Sequence, residues 1–532
     1  MRRWNGWGDE AVETPLPPAA AALIDDLVGP GTPPLDATLE AVVATVPASR
    51  LPSDPLLDDD PEGRVRHARG QSLPDWVALR SGRFGAFPDS VARPTTAADV
   101  TAVIALARSR GASLLPYGGG TSVVGGVTTV PSDRPVIAVA LDRLAGLRAL
   151  DERSALATFG AGTLGPDVEA ALAPHGLTLG HSPQSFEAST VGGWVAARSS
   201  GQLSAGYGRI EALFAGGHLE APAGSLDLPT FPASAAGPDL RQVVLGSEGR
   251  AGILTDVVVR ATPMPPVQRF DAYVLTGWDR AIDVARDLAQ ARLPLAMVRA
   301  STPLETASAL ALATDARAVT WLKRYLTVRG RTHDRCLVVV GLLGPAGVVG
   351  AAGGEVAAIV RRHGGVGVPG VGRAWYRDRY AAPSLRNALW SAGYAVDTLE
   401  TAVDWSRITD LSAALGPALR HGLEDEGERV HAFTHLSHVY PSGSSLYTTY
   451  LYRLAPDPDA TLERWRRLKR AASEVIVAHG GTISHQHGVG RDHASYLETE
   501  KGPLGMAALE STLRSFDPDG LMAPGVLLEE PS

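Results

Sequence analysis

Downstream of Pro94 the apolar residues settle into regular spacings. Val100, Val103, Ile104 and Ala107 fall on one face of a helix that Thr95 or Thr96 can cap and Gly111 can stop. Apolar runs follow at Ser113 to Pro116, Val136 to Leu141, Ala155 to Gly160, Val243 to Leu245 and Gly252 to Arg260, and each predicts a strand. Strands alternating with helices predict an α/β or α+β domain. Thr262 to Pro266 reads TPMPP, a linker by composition. Beyond it, Val267 to about Arg470 again alternates strands with long helices such as Gly354 to His363. Residues 1–85 are rich in Pro, Asp and Ala, carry the acidic run Leu57-Asp58-Asp59-Asp60, and predict an arm with short helices lying over the main body. The chain therefore divides into 1–85, 86–265, 266–470 and 471–532.

Composition narrows the class. A length of 532 residues exceeds what one core supports. The net charge of -8 offers no basic field for nucleic acid. One cysteine, Cys336, excludes an intramolecular disulfide and any cysteine-cluster metal site. The stretch from Cys336 to Gly354 is uncharged and nearly long enough to span a bilayer. Gly341, Gly344, Pro345 and Gly347 interrupt it, so it reads as a buried strand, a turn and a helix start. The arginine pair in MRRWNGWGDE lacks the apolar run of an export signal, so the expected compartment is the cytoplasm, with peripheral membrane contact admitted.

Three small-residue loops carry the candidate chemistry. Gly118-Gly119-Gly120-Thr121-Ser122 follows a strand, where glycines let consecutive N–H groups turn toward one anion and the hydroxyls add donors. No Gly-Lys-Ser/Thr follows, so it is not a P-loop, and its glycine spacing is not the dinucleotide fingerprint. In Ser189-Thr190-Val191-Gly192-Gly193-Trp194, hydroxyls cap a helix whose first turn is glycine, which predicts N–H groups open to a phosphate or a flavin ring. Gly246-Ser247-Glu248-Gly249 precedes the β-rich Ala251-Gly252-Ile253-Leu254. Two histidine groups follow. His485 and His487 flank Gln486 before Gly488-Val489-Gly490 and share a face if the stretch is extended. His431, His435, His438 and Tyr447 cluster around a second β-rich segment.

The stretches PYGGGTS, GHSPQSFEASTVGGWVAARSSG, YGRIEAL and VLGSEGRAGILTDVVV resemble the flavin domain of the para-cresol methylhydroxylase and vanillyl-alcohol oxidase superfamily. From Arg3-Trp4-Asn5-Gly6-Trp7-Gly8 to SHQHGVGR at Ser484 to Arg491, the chain resembles the alkyldihydroxyacetonephosphate synthases, the ether-lipid enzymes. The resemblance implies an α+β fold: a two-subdomain PCMH-type FAD-binding domain at 86–265, an α/β cap holding substrate at 266–470, and a helical C-terminal segment completing the site. It implies dissociable FAD held by Pro116, Tyr117, Gly118, Gly119, Gly120, Thr121, Ser122, Gln184, Ser185, Ser189, Thr190 and Gly193. Ala197, Arg198, Ser199, Ser200, Glu248, Gly249, Gly252, Ile253 and Leu254 would complete that pocket.

The resemblance also implies a reaction. Tyr447 would take a proton from the carbon bearing the acyl ester of acyl-dihydroxyacetone phosphate, a flavin N5 adduct would form as the fatty acid leaves, and a fatty alcohol would replace the flavin. Arg386 would pair with substrate phosphate, and His485 and His487 would orient groups beside the flavin. The family's middle histidine is Gln486 here, which cannot exchange protons near neutrality. Related D-2-hydroxyacid dehydrogenases hold a metal with two histidines and a glutamate; His438, Tyr447 and Gln486 stand at those positions, so no metal is expected. A lipid-like or other small-molecule substrate and a homodimer are compatible with the same resemblance. The rival readings are an FAD oxidase or dehydrogenase of a hydroxy acid or alcohol, and a flavin-binding protein without turnover.

Overall fold

Side chains alternate across a strand with a period of two, and this alternation decides where the chemistry of the chain faces. The computed structural model describes residues 2–13, 15–312 and 316–529. Three larger sheets carry the fold. A four-stranded sheet runs in the order Leu57–Asp58, Ser90–Ala92, Val136–Ala140, Ser113–Tyr117, and its three longer strands are parallel. A five-stranded antiparallel sheet follows the order Leu147–Asp151, Leu156–Gly160, Ile253–Arg260, Phe214–Ala221, Gly224–Leu228. The third sheet has seven antiparallel strands, in the order Val366–Gly367, Val267–Thr276, Arg335–Gly344, Leu295–Ser301, His431–Val439, Gly443–Arg453, Tyr394–Asp404. The protein is α+β.

Between the first two sheets and the third, the chain passes through Thr262–Pro263, which pairs with Leu177–Thr178 rather than hanging free. The helix Ala97–Arg110 is capped by Thr96, whose hydroxyl takes the Asp99 N–H while Asp99 answers the Thr96 N–H, and Gly111 ends it at φ 61°. The C-terminal segment returns to the four-stranded sheet. Leu114 N–H donates to Leu521 C=O at 2.8 Å, and Met522 is fully buried there.

One face of the seven-stranded sheet is covered by helices Trp278–Gln290, Ala346–Arg362, Trp405–Arg420 and Pro458–Ala478. Its apolar side chains, among them Val298, Ala300, Val338, Leu399 and Leu446, form the largest core. Cys336 lies in that core with no exposed surface, and burial pushes its thiol up to about 12. The sheet's opposite face points toward the two smaller sheets, leaving room for a ligand between them. No helix among the described residues is long and apolar enough to cross a membrane.

Two expectations change. Val243 to Leu245 is not a strand: Val244 ends the short helix Arg241–Val244, and Val244 and Leu245 are buried in the core against the five-stranded sheet. Packing overrides β-branched preference there. The segment before residue 86 is more than an overlying arm, because Leu73 and Trp76 of the helix Leu73–Ser81 are fully buried in the seven-stranded sheet's core. Trp76→Ala is accordingly expected to cost about 3–5 kcal/mol, seen as a clear fall in the thermal midpoint. A midpoint within a degree of the parent would show that this helix is not part of the core.

Candidate active site

The loop after the strand Ser113–Tyr117 is built for an anion. The N–H groups of Gly118, Gly119, Gly120 and Thr121 meet no acceptor among the described residues. A Cβ on Gly119 would sit 1.9 Å from the Ala188 carbonyl oxygen, and one on Gly118 would sit 2.6 Å from Thr190 Oγ1. Glycine is therefore required for the backbone to pass so close while keeping its donors free. The second loop behaves differently from its expectation. Val191 and Gly192 donate to Thr163 and Ala161 carbonyls, and Gly193 N–H goes to Thr190 Oγ1 at 3.2 Å. The first two fasten the six-residue helix Val191–Ala196 to the turn that follows the strand Leu156–Gly160, and the third is the helix's own cap. Its glycines permit close packing: a Cβ on Gly192 would lie 2.7 Å from that of Ala161.

Both loops open into a cavity of about 610 Å³ between the two smaller sheets and the seven-stranded sheet. Pro116, Gly118, Gly119, Gly120, Thr121, Ser122, Gln184, Ser185, Ser189, Thr190 and Gly193 line it. So do Ala197, Ser199, Ser200, Glu248, Gly249, Gly252, Ile253 and Leu254 and, from the cap side, Arg386, Tyr447 and His487. Three anticipated residues lie outside. The Tyr117 ring turns away, its hydroxyl 2.8 Å from the Arg69 carbonyl oxygen, because alternation sends it to the other face of its strand. Arg198 adopts φ 52° and reaches Gln242 instead. His485 sits behind the cavity wall. With its free N–H cluster and hydroxyl rim, the cavity suits a flavin dinucleotide.

Glu248 joins the two halves of the site. Its carboxylate accepts the N–H groups of Val489 and Gly490, each at 2.7 Å, so the loop after His487 is held against the flavin-side sheets. The geometry costs strain, since Glu248 is in the left-handed region at φ 50°. Burial pushes its carboxyl up to about 7, with the two N–H groups opposing that rise.

Strand register assembles the cap side. Glu400, Tyr447 and His435 stand directly opposite one another on three neighbouring strands, Glu400 paired with Tyr447 and Tyr447 with His435. Tyr447 and His435 line the cavity, as does Arg299, and register puts Glu400 on the same sheet face. The His435 ring stacks on Tyr447 at 4.9 Å, and Arg299 and Glu305 hold His435 from behind, at 2.7 Å and 2.9 Å. A register shift between Leu436 and Val439 lets the consecutive residues Ser437 and His438 both reach the cavity. His431 does not reach it; its ring nitrogen meets Ser308 Oγ at 3.1 Å.

Glu400 is the centre of this face. Its side chain has no exposure. It accepts the Ser437 hydroxyl and the Gln486 side-chain N–H, each at 2.6 Å. His485 Nδ1 lies at 3.2 Å, His438 Nε2 at 3.9 Å and His487 Nε2 at 4.0 Å. Burial alone would raise this carboxyl; the contact with His485 outweighs burial and holds it well below the usual range. His438, buried and hydrogen-bonded by Ser204 and Ser200, falls to about 3, and burial also lowers His487, so both rings are neutral at physiological pH. Gln486 and His487 belong to an irregular loop rather than an extended strand.

Glu400, His438 and His485 also bring potential metal-ligand atoms within 4.8 Å of one another, a grouping that counting ligands along the sequence missed. Arg209 already serves His485 Nε2 at 2.8 Å, together with the Tyr440 hydroxyl at 2.7 Å. A fixed guanidinium on a candidate ligand opposes a second cation there. Arg209, Arg299 and Glu305 carried no separate signal in the sequence; Arg209 stood inside YGRIEAL without distinction.

Arg386 lies at the other end of the cavity. Its Nη1 donates to the Gln71 carbonyl at 2.6 Å and its guanidinium covers Trp76 at 4.6 Å, while Nε and Nη2 are buried without partners. An unpaired buried guanidinium edge is costly unless a ligand anion completes it. Leu385 and Leu389 of the same helix, with Val396 and Phe433, make apolar walls around it.

Comparison with known proteins agrees with this division. The family model "FAD binding domain" matches residues 88–226, and "FAD linked oxidases, C-terminal domain" matches residues 264–527. An alkyldihydroxyacetonephosphate synthase of Dictyostelium discoideum is 27% identical over 570 residues, covering 99% of this chain and 93% of that protein. One from Trypanosoma brucei brucei is 27% identical, covering 99% and 92%. A solved alkyldihydroxyacetonephosphate synthase structure superposes with a TM-score of 0.82 at 25% identity, covering 98% of each chain.

The raised Glu248 carboxyl makes a signed prediction. The folded chain binds a proton there between its usual 4.5 and about 7 while the unfolded chain does not, so this contribution to stability falls as pH rises across that window. Glu248→Gln should flatten that part of the stability profile, measured by urea unfolding of the flavin-free protein from pH 4.5 to 7.5; an unchanged slope would refute the assignment.

Proposed function

We propose that this chain, which belongs to the FAD-linked oxidases and is an enzyme of that family, exchanges the acyl group of acyl-dihydroxyacetone phosphate for a fatty alcohol, forming an ether lipid. The observation that carries the reading is the pairing, in one cavity, of an unsatisfied Arg386 edge with Tyr447 and apolar walls. Bound FAD would supply the electrophilic ring at which one oxygen substituent is exchanged for another without net oxidation. Pro116 to Ser122 would hold the diphosphate. The single cysteine is remote in the cap's core, which supports a dissociable cofactor.

Arg386 binds the substrate phosphate with its two open N–H edges and so fixes the carbon to be deprotonated. Tyr447 faces that carbon. Burial pushes its hydroxyl well above the usual range, and Glu400 and Asp397 add to the rise, so it is a phenol at neutral pH. It takes the substrate proton only while giving up its own. The neutral ring of His487, edge-on with ring centres 5.7 Å apart, would take that proton, whereas His435 only stacks on Tyr447, its two nitrogens committed to Arg299 and Glu305. Gln486 donates its side-chain N–H to Glu400 and so offers its amide oxygen as a hydrogen-bond acceptor, where it exchanges no proton.

Incubation with acyl-dihydroxyacetone phosphate and hexadecanol should release fatty acid and yield the alkyl ether, with the flavin oxidised at the end. Lasting anaerobic bleaching by a hydroxy acid, with no ether formed, would replace this reading with an oxidative one. Tyr447→Phe should lower turnover by about 10²–10⁴-fold with FAD content unchanged, and normal turnover in it would remove Tyr447 from the reaction. Denaturation should release FAD into solution; yellow colour retained on the unfolded chain would overturn the dissociable cofactor.

A further inference from the structure

The segment Arg2–Gly8, RRWNGWG, has no part in the chemistry above, yet it is built into the cavity. Arg3 N–H closes it on the Gly8 carbonyl at 2.9 Å, and Arg2 and Asp9 bridge its ends. Trp4 packs into a small core with Leu39, Val65 and Phe84. Trp7 lines the cavity and packs against the core of the seven-stranded sheet. Asn387 brackets the Trp7 backbone, its Oδ1 accepting the Trp7 N–H at 3.2 Å and its Nδ2 donating to the Trp7 carbonyl at 2.8 Å. A Cβ on Gly6 would lie 2.3 Å from Asn387 Oδ1, and Gly8 takes φ 83°, so the glycines are what let the indole be presented there.

Asn387 directly follows Arg386 on the helix Ala382–Ser391, which also sends Leu385 and Leu389 into the cavity. One helix thus carries an open anion-binding edge, two apolar wall residues and the bracket for a third. We propose that Trp7 is a specificity-determining residue: it forms the wall against which the aliphatic chain of a phosphate-bearing amphiphile lies, and Asn387 is the positioning residue that holds it there. This rests on the reading of Arg386 as the substrate's phosphate site. The indole supplies a large, stiff apolar surface at little conformational cost, so its effect grows with chain length and vanishes for a short ester.

The test is binding, independent of turnover. Butyl phosphate and dodecyl phosphate are titrated calorimetrically into the FAD-loaded enzyme, with flavin content as the check on folding. The parent should bind the dodecyl ester far more tightly than the butyl ester. Trp7→Ala should weaken dodecyl phosphate about tenfold, or ~1.4 kcal/mol, while changing butyl phosphate less than twofold. Asn387→Ala should reproduce that pattern and Trp7→Phe should largely restore the parent. Arg386→Ala should weaken both esters alike. An unchanged dodecyl-to-butyl ratio in Trp7→Ala and Asn387→Ala overturns the proposal while leaving the phosphate site standing. Equal loss of both esters in Trp7→Ala reduces the segment to a structural support and also overturns it. Failure of both esters to bind the parent overturns the phosphate-site reading and this inference with it.

Discussion

A carboxylate without solvent must be surrounded by donors or give up its charge, and Glu400 imposes that condition on everything near it. Its partners come from the strand at Ser437 and His438 and from the loop at His485 to His487, segments about fifty residues apart. Arg209 of the flavin-side half then closes on the far side of His485. One buried charge therefore ties the cap sheet, the C-terminal loop and the flavin-side domain into a single polar network. Its members orient one another, so removing one leaves others unsatisfied.

The two ends of the cavity are made in different ways. At the cofactor end the ligand meets backbone, and the requirement falls on residues with no side chain or a short hydroxyl. At the substrate end it meets side chains that converge from three strands, a helix and a loop. Low polarity there keeps Tyr447 a phenol and His438 and His487 uncharged, which stocks the site with neutral proton donors and acceptors.

That difference explains how much could be read in advance. Gly118 to Ser122 were legible because a backbone cradle leaves a contiguous trace in the sequence. The helix Ala97–Arg110 and the principal strands were legible from periodicity for a similar reason. Tyr117 and Arg198 sit inside legible motifs yet face away, because strand alternation and a left-handed turn decide direction residue by residue. The second glycine loop was read as a donor site when its glycines serve close packing instead. Glu400 acquires its role only through register and tertiary closure, and Arg209 and Trp7, though inside stretches that carry the family resemblance, gain their contacts with His485 and the cavity only once the chain has folded.

Cys336 points in another direction. As the chain's single thiol, fully enclosed and held protonated, it offers no thiolate to an electrophile in the folded state. The native protein is in effect a blank background for sulfur chemistry. A cysteine introduced anywhere on the surface would be the one reactive sulfur, so spectroscopic labels could report distances between the cap and the flavin-side domain without prior removal of native thiols.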